Sequence, residues 1–203
     1  MKTSQIEQLI FLPGASGRVE FWQALASALE CPAKRIFFGY PGFGGVPDAP
    51  EIQGLSDVVE RVVSLIDRPT ALIAQSMGGV VAIQAANARP DLVSHVVLAV
   101  TSGGLDMSAF GARDWRADFA EQYFFPDWFT RFSSDLSGEI SRLQARTILL
   151  WGDQDPYSPL AVGRKLASLI PTSELHILSG GDHDLGCNKA DEISALVDSH
   201  LRS

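Results

Sequence analysis

The chain alternates short apolar runs with stretches in which apolar residues recur every three or four positions. The runs at 7–12 (EQLIFL), 34–38 (KRIFF), 70–75 (TALIAQ), 94–100 (SHVVLAV), 146–151 (RTILLW) and 173–178 (SELHIL) predict strands. Val96-Val97-Leu98-Ala99-Val100 is apolar without alternation, as expected of a strand covered on both faces. Helices are predicted at 19–29, 55–66, 77–88, 159–169 and 189–201. The second of these carries Leu55, Val58, Val59, Val62, Val63 and Ile66 at helical spacing. Strands that alternate with helices predict βαβ units and a parallel sheet. No internal repeat or low-complexity linker breaks the chain, so residues 1–203 are expected to form one domain.

One segment departs from this rhythm. Residues 101–144 contain no strand pattern, yet they hold Phe110, Trp115, Phe119, Tyr123, Phe124, Phe125, Trp128, Phe129 and Phe132, half of the chain's eighteen aromatic residues. Trp115, Phe119 and Tyr123 recur at a spacing of four, which puts them on one face of a helix. Pro126 suits the first turn of a second helix carrying Trp128, Phe129 and Phe132. The expectation is a helical lid over about 103–142, inserted into a core made of 1–100 and 145–203. Trp115, Phe119, Tyr123, Trp128 and Phe129 are its candidate substrate-pocket residues. Packing of the insertion onto the core is the alternative use for the same aromatics.

Composition narrows the function classes. With 46% hydrophobic and 20% charged residues the chain reads as an ordinary globular protein. A net charge of −8, from 16 basic and 24 acidic residues, argues against nucleic acid and anionic membrane surfaces as partners. A small molecule is the expected partner. Cys31 and Cys187 make no disulfide framework, and no Cys/His spacing suggests a metal. No signal peptide and no membrane-length apolar run is present, so a cytoplasmic location is expected.

The chemistry concentrates in Ala74-Gln75-Ser76-Met77-Gly78-Gly79, directly after a strand and before a helix. A serine on such a turn takes a strained backbone conformation that exposes its hydroxyl above the sheet, and the close approach of strand and helix requires small residues on both sides. Ala74 and Gly78 meet that requirement. The turn also sets Ser76 at a helix N-terminus, where developing negative charge is favoured. A plain helix cap is the competing use of a serine here, but a cap needs no small neighbours.

Further short motifs stand at strand ends: Leu12-Pro13-Gly14, Gly39-Tyr40-Pro41-Gly42-Phe43-Gly44, Trp151-Gly152-Asp153-Gln154-Asp155-Pro156 and Gly180-Gly181-Asp182-His183. With the serine turn, in this order and over nearly the whole length, they resemble the α/β-hydrolase superfamily, particularly its small esterase-like and lyase-like members with a short helical cap. The resemblance implies an α/β-hydrolase fold and a triad in the order nucleophile, acid, histidine. Ser76 would be the nucleophile. Asp155 stands where similar sequences carry the acid, with Asp153 the alternative and Asp106, after the fourth strand, a third. Among the four histidines, His183 lies in the loop after the last strand and is the expected base. His176 falls inside a strand, and His95 and His200 are expected at the surface. The oxyanion hole would consist of the backbone N–H groups of Ala15 and Met77. Only six residues precede the first strand, so the sheet is expected to have six parallel strands, without the superfamily's N-terminal hairpin. No cofactor or metal is implied.

The Gly14-to-Arg18 run lacks the GK[ST] ending of a phosphate-cradling loop, and Gly42-Phe43-Gly44-Gly45 is not a dinucleotide fingerprint. The leading expectation is a serine hydrolase for a carboxylic ester or thioester with a partly apolar acyl or aryl group. The alternatives are a C–C bond hydrolase or a lyase of the menaquinone-pathway synthase type, with Arg18, Arg113 and Arg116 as carboxylate-binding candidates. A non-catalytic ligand-binding member of the fold is the third.

Overall fold

A computed structural model describes residues 5–119, 125–133 and 135–203. Its six strands are β1 (Gln8–Leu12), β2 (Lys34–Phe37), β3 (Thr70–Gln75), β4 (Val93–Ala99), β5 (Arg146–Gly152) and β6 (Ser173–Leu178). All neighbours pair in parallel, in the order β2-β1-β3-β4-β5-β6. The helices are α1 (Gln23–Ala28), α2 (Leu55–Ser64), α3 (Met77–Ala88), α4 (Trp115–Phe119), α5 (Asp127–Thr130), α6 (Ser137–Ser141), α7 (Leu160–Leu169), α8 (Leu185–Asn188) and α9 (Ala190–Leu201).

Burial explains where each run sits. Every residue of β1 and β3 is buried, whereas the edge strands β2 and β6 are mostly half-buried or exposed. Right-handed crossovers place helices on both faces: α1 packs with α9 on one, and α2 packs with α3 on the other. Helix α3, sandwiched against β1, β3 and β4, is apolar nearly all round and carries nine buried residues. Strand order reverses between β1 and β3, so the loops leaving their C-terminal ends part and open a crevice. That crevice holds the site.

Most predicted elements recur with their ends moved by a residue or two. The expected helix at 19–29 begins instead as a 3-10 turn, Val19–Trp22, and the one at 189–201 is preceded by the separate short helix α8. Between β4 and β5 the helices are short: a 3-10 turn Met107–Phe110, then α4, α5 and α6. Pro126 caps the N-terminus of α5. Tyr123, expected to continue the face of Trp115 and Phe119, lies outside the described residues, as does Phe124.

Two histidines expected at the surface are buried. His95 is 4% and His200 8% exposed, and their rings meet edge to face with centroids 5.0 Å apart. His95 is the third residue of β4 rather than its solvent-facing start, and α9 packs across β4, so the two residues cover each other.

Candidate active site

Ser76 joins β3 to α3 with φ 52° and ψ −121°, a conformation that an L-residue adopts only under constraint. The constraint is visible around it. A Cβ on Gly78 would stand 2.5 Å from the Leu12 carbonyl oxygen, and one on Gly79 2.4 Å from Thr101 Oγ1. The two glycines thus let α3 press against the β1 loop on one side and the end of β4 on the other. The Ser76 amide donates to the Ala99 carbonyl at 3.1 Å, and its carbonyl accepts from Gly79 N–H at 3.0 Å.

The β1 loop is fixed by two buried aromatic donors. Trp22 Nε1 donates to the Leu12 carbonyl at 3.1 Å and the Tyr40 hydroxyl to the Pro13 carbonyl at 3.0 Å. Burial pushes the Tyr40 hydroxyl well above its ordinary pKa, so it stays protonated and keeps donating. This gives Tyr40 of the Gly39–Gly44 motif a structural task. Beyond the loop, Ala15 and Met77 line the same cavity as Ser76. Among the described residues neither of their amides has a protein acceptor.

The loops after β5 and β6 are laced together. A Cβ on Gly152 would stand 2.0 Å from the Gly181 carbonyl oxygen, which itself accepts from Gln154 N–H at 2.9 Å. Asp153 accepts from Gly180 N–H at 2.7 Å and so anchors this turn. The Asp155 side chain is wholly buried: Oδ1 accepts from the amides of Tyr157 (2.8 Å) and Ser158 (3.0 Å), and Oδ2 lies 2.7 Å from His183 Nδ1. His183 Nε2 lies 3.0 Å from Ser76 Oγ. Ser76, His183 and Asp155 therefore form one continuous hydrogen-bonded line, with Asp155 rather than Asp153 at its end. Asp106 is turned away to cap the Met107–Phe110 turn, where it binds the amide and hydroxyl of Ser108. His176, on β6, pairs with Glu174 at 3.3 Å.

Sequence reasoning passed over three residues here. Gln75 is 4% exposed and donates through Nε2 to the His183 carbonyl at 3.0 Å, tethering the histidine loop. A glutamine directly after the apolar run 71–74 is the signal, since a buried amide needs a partner. Thr101 donates to the Ser76 carbonyl at 2.6 Å. The Tyr157 and His183 rings meet edge to face, with centroids 5.3 Å apart, and Tyr157 donates its hydroxyl to Asp118 at 2.8 Å.

Ser76 and His183 open into a cavity of about 550 Å³. Trp115, Phe119 and Phe129 line it, together with Phe125 and Phe132. Trp128 instead packs edge-on against Phe43, with centroids 5.8 Å apart. The cavity's arginines each stand near an aspartate: Arg18 by Asp184 (3.8 Å), Arg113 by Asp118 (2.6 Å) and Arg116 by Asp114 (3.7 Å). Hydrogen bonds from Tyr157 first, and Arg113 second, hold the Asp118 carboxyl below its usual range.

A sequence model described as the Alpha/beta hydrolase family matches residues 9–185. The chain belongs to this family. Relatives of this α/β hydrolase include a depolymerase and a dienoate hydrolase. A poly(3-hydroxyalkanoate) depolymerase from Ectopseudomonas oleovorans is 24% identical over 238 residues, covering 96% of this chain and 84% of that protein. A 2-hydroxy-6-oxo-6-phenylhexa-2,4-dienoate hydrolase from Comamonas testosteroni is 24% identical over 250 residues, covering 94% and 84%. Among solved structures, a thermophilic esterase from Thermogutta terrifontis superposes with a TM-score of 0.78 at 17% identity, over 98% of this chain and 91% of that one, a likeness of fold. No group of three or more His, Cys, Asp or Glu among the described residues could hold a metal ion, and no helix there is long and apolar enough to cross a membrane.

Proposed function

We propose that this α/β hydrolase cleaves an uncharged carboxylic ester or thioester with a partly apolar acyl or aryl group through Ser76, His183 and Asp155. The observation that carries the reading is the hydrogen-bonded line of 3.0 Å and 2.7 Å ending at a serine that faces the cavity. In the first step His183 Nε2 takes the Ser76 proton as Oγ attacks the carbonyl carbon. The amides of Ala15 and Met77 receive the oxyanion. Asp155 accepts from Nδ1–H, selects the tautomer and stabilises the imidazolium. His183 then returns the proton to the leaving alcohol or thiol, and water frees the acid by the same steps in reverse order. An uncharged substrate fits because each arginine at the cavity already has an aspartate beside it, and the aromatic lining suits an apolar group.

The experiment is labelling by a fluorophosphonate probe, mapped by mass spectrometry, with turnover of p-nitrophenyl esters of increasing chain length. Labelling at Ser76 with ester turnover is expected, and Ser76→Ala or His183→Ala should lower turnover by about 10⁴-fold or more in a folded protein. A folded wild type that neither labels nor turns over esters would sink the reading. The relative named as a dienoate hydrolase favours C–C bond hydrolysis beside a ketone as the second reading. Turnover of a vinylogous diketone in preference to every ester would select it.

A further inference from the structure

The residue that follows β4 has no slack. Val100 is fully buried and β-branched, yet has φ 42°, a conformation such a residue takes only when its surroundings force it. Its amide donates to the Leu150 carbonyl at 3.1 Å. The turn brings the next residue, Thr101, against the Ser76 elbow. Thr101 is wholly buried; its Oγ1 donates to the Ser76 carbonyl at 2.6 Å and accepts from Gly103 N–H at 3.0 Å. The Thr101 carbonyl in turn accepts from Ser158 Oγ at 3.3 Å. Ser158 is 2% exposed, and its amide donates to Asp155 Oδ1 at 3.0 Å.

These contacts join end to end. From the Ser76 carbonyl the path runs through Thr101 and Ser158 to the Asp155 carboxylate, and from there through His183 back to Ser76 Oγ. We propose that Thr101 and Ser158 are positioning residues that close a second, buried hydrogen-bonded path between the nucleophile and the acid, setting their separation independently of His183. The inference rests on the triad reading above. The histidine side of the ring is 24% exposed at its side chain, whereas both hydroxyls of the second path are buried. Buried hydrogen bonds work in a low dielectric, where they resist displacement by water. Gly79 belongs to the same device, because a side chain there would occupy the space of Thr101 Oγ1.

Proton transfer from Ser76 to His183 depends on reach, and an ångström of misplacement costs a rate about a hundredfold. Thr101→Val, isosteric but without a donor, and Ser158→Ala should therefore each lower kcat about tenfold with KM within about twofold, and slow fluorophosphonate labelling in parallel. The double variant should fall no further than the worse single one, since either change opens the same path. Thr101→Ser and Ser158→Thr, which keep the hydroxyls, should restore kcat to within about threefold of wild type. Ser158→Ala deletes one oxygen atom and carries the test if Thr101→Val misfolds. Unchanged kcat in folded Ser158→Ala overturns the proposal, as do additive losses that the hydroxyl-keeping variants share. Ser76→Ala run alongside tests the triad itself. An inactive Ser76→Ala beside a fully active Ser158→Ala would overturn the second path and leave the triad standing.

Discussion

At the residue scale, the aspartates after β5 divide the labour by where their oxygens go. Asp153 holds a turn through one amide, whereas Asp155 is wholly buried with two amides and an imidazole around it. Asp155→Asn should cost about 10⁴-fold in kcat, because an amide at Oδ2 invites the wrong histidine tautomer. Asp153→Asn keeps an acceptor for Gly180 N–H and should cost less than about tenfold. Equal losses in the same ester assay would refute the assignment. Gly78→Ala should yield little folded protein in a thermal melt, since its Cβ would meet the backbone of the β1 loop, which cannot swing aside as a side chain can. That Ser76, His183 and Asp155 would meet was legible because each sits in a short local motif at a strand end. Gln75, Thr101, Ser158 and Tyr157 were not, because their partners lie at least 25 positions away. The burial of His95 and His200 escaped for the same reason: it depends on β4 and α9, far apart in the chain, packing together.

Among the elements, the segment between β4 and β5 is the one with two uses. It is tied to the acid-bearing loop by Arg113 N–H to the Pro156 carbonyl at 2.8 Å, by the Tyr157 hydroxyl on Asp118, and by the rings of Phe119 and Tyr157, 5.4 Å apart. Its aromatics divide accordingly. Phe119→Ala should change the chain-length preference among p-nitrophenyl esters while shifting the melting temperature by only a few degrees. Trp128→Ala should lower stability by about 3 kcal/mol, read as a urea midpoint, with the preference unchanged, since its ring packs on Phe43 and Phe129. The reverse pattern would reverse the roles. Strands and long helices were readable because burial on both faces writes itself as uninterrupted apolar runs and a 3.6-residue period. The short helices of this segment were blurred, since four or five residues hold too little of a period to mark their ends.

For the whole molecule, the pair His95 and His200 ties stability to pH. Desolvation first, and the neighbouring His95 second, lower the His200 pKa from 6.5 to about 4, and burial lowers that of His95. Arg146 nearby adds to both shifts, while backbone hydrogen bonds, with Ser203 for His95 and with Val96 and Arg146 for His200, oppose them without reversing them. The unfolded chain therefore binds protons that the folded one refuses. Stability should be full above about pH 6.5 and fall as pH drops towards about 4, by up to about 1.4 kcal/mol per unit for His200, with His95 acting in the same direction. A urea midpoint that is unchanged between pH 7.5 and pH 5 would contradict this, and His200→Gln should flatten the slope. The sheet's asymmetry has a different consequence. His183, the proposed base, follows β6, an edge strand bonded to one neighbour and carrying the exposed Ile177, while Ser76 follows the deeply buried β3. Edges open locally at lower free energy than centres. In rising urea, turnover should vanish while the amides of β1 and β3 still resist hydrogen exchange, leaving a population that is folded, soluble and chemically mute.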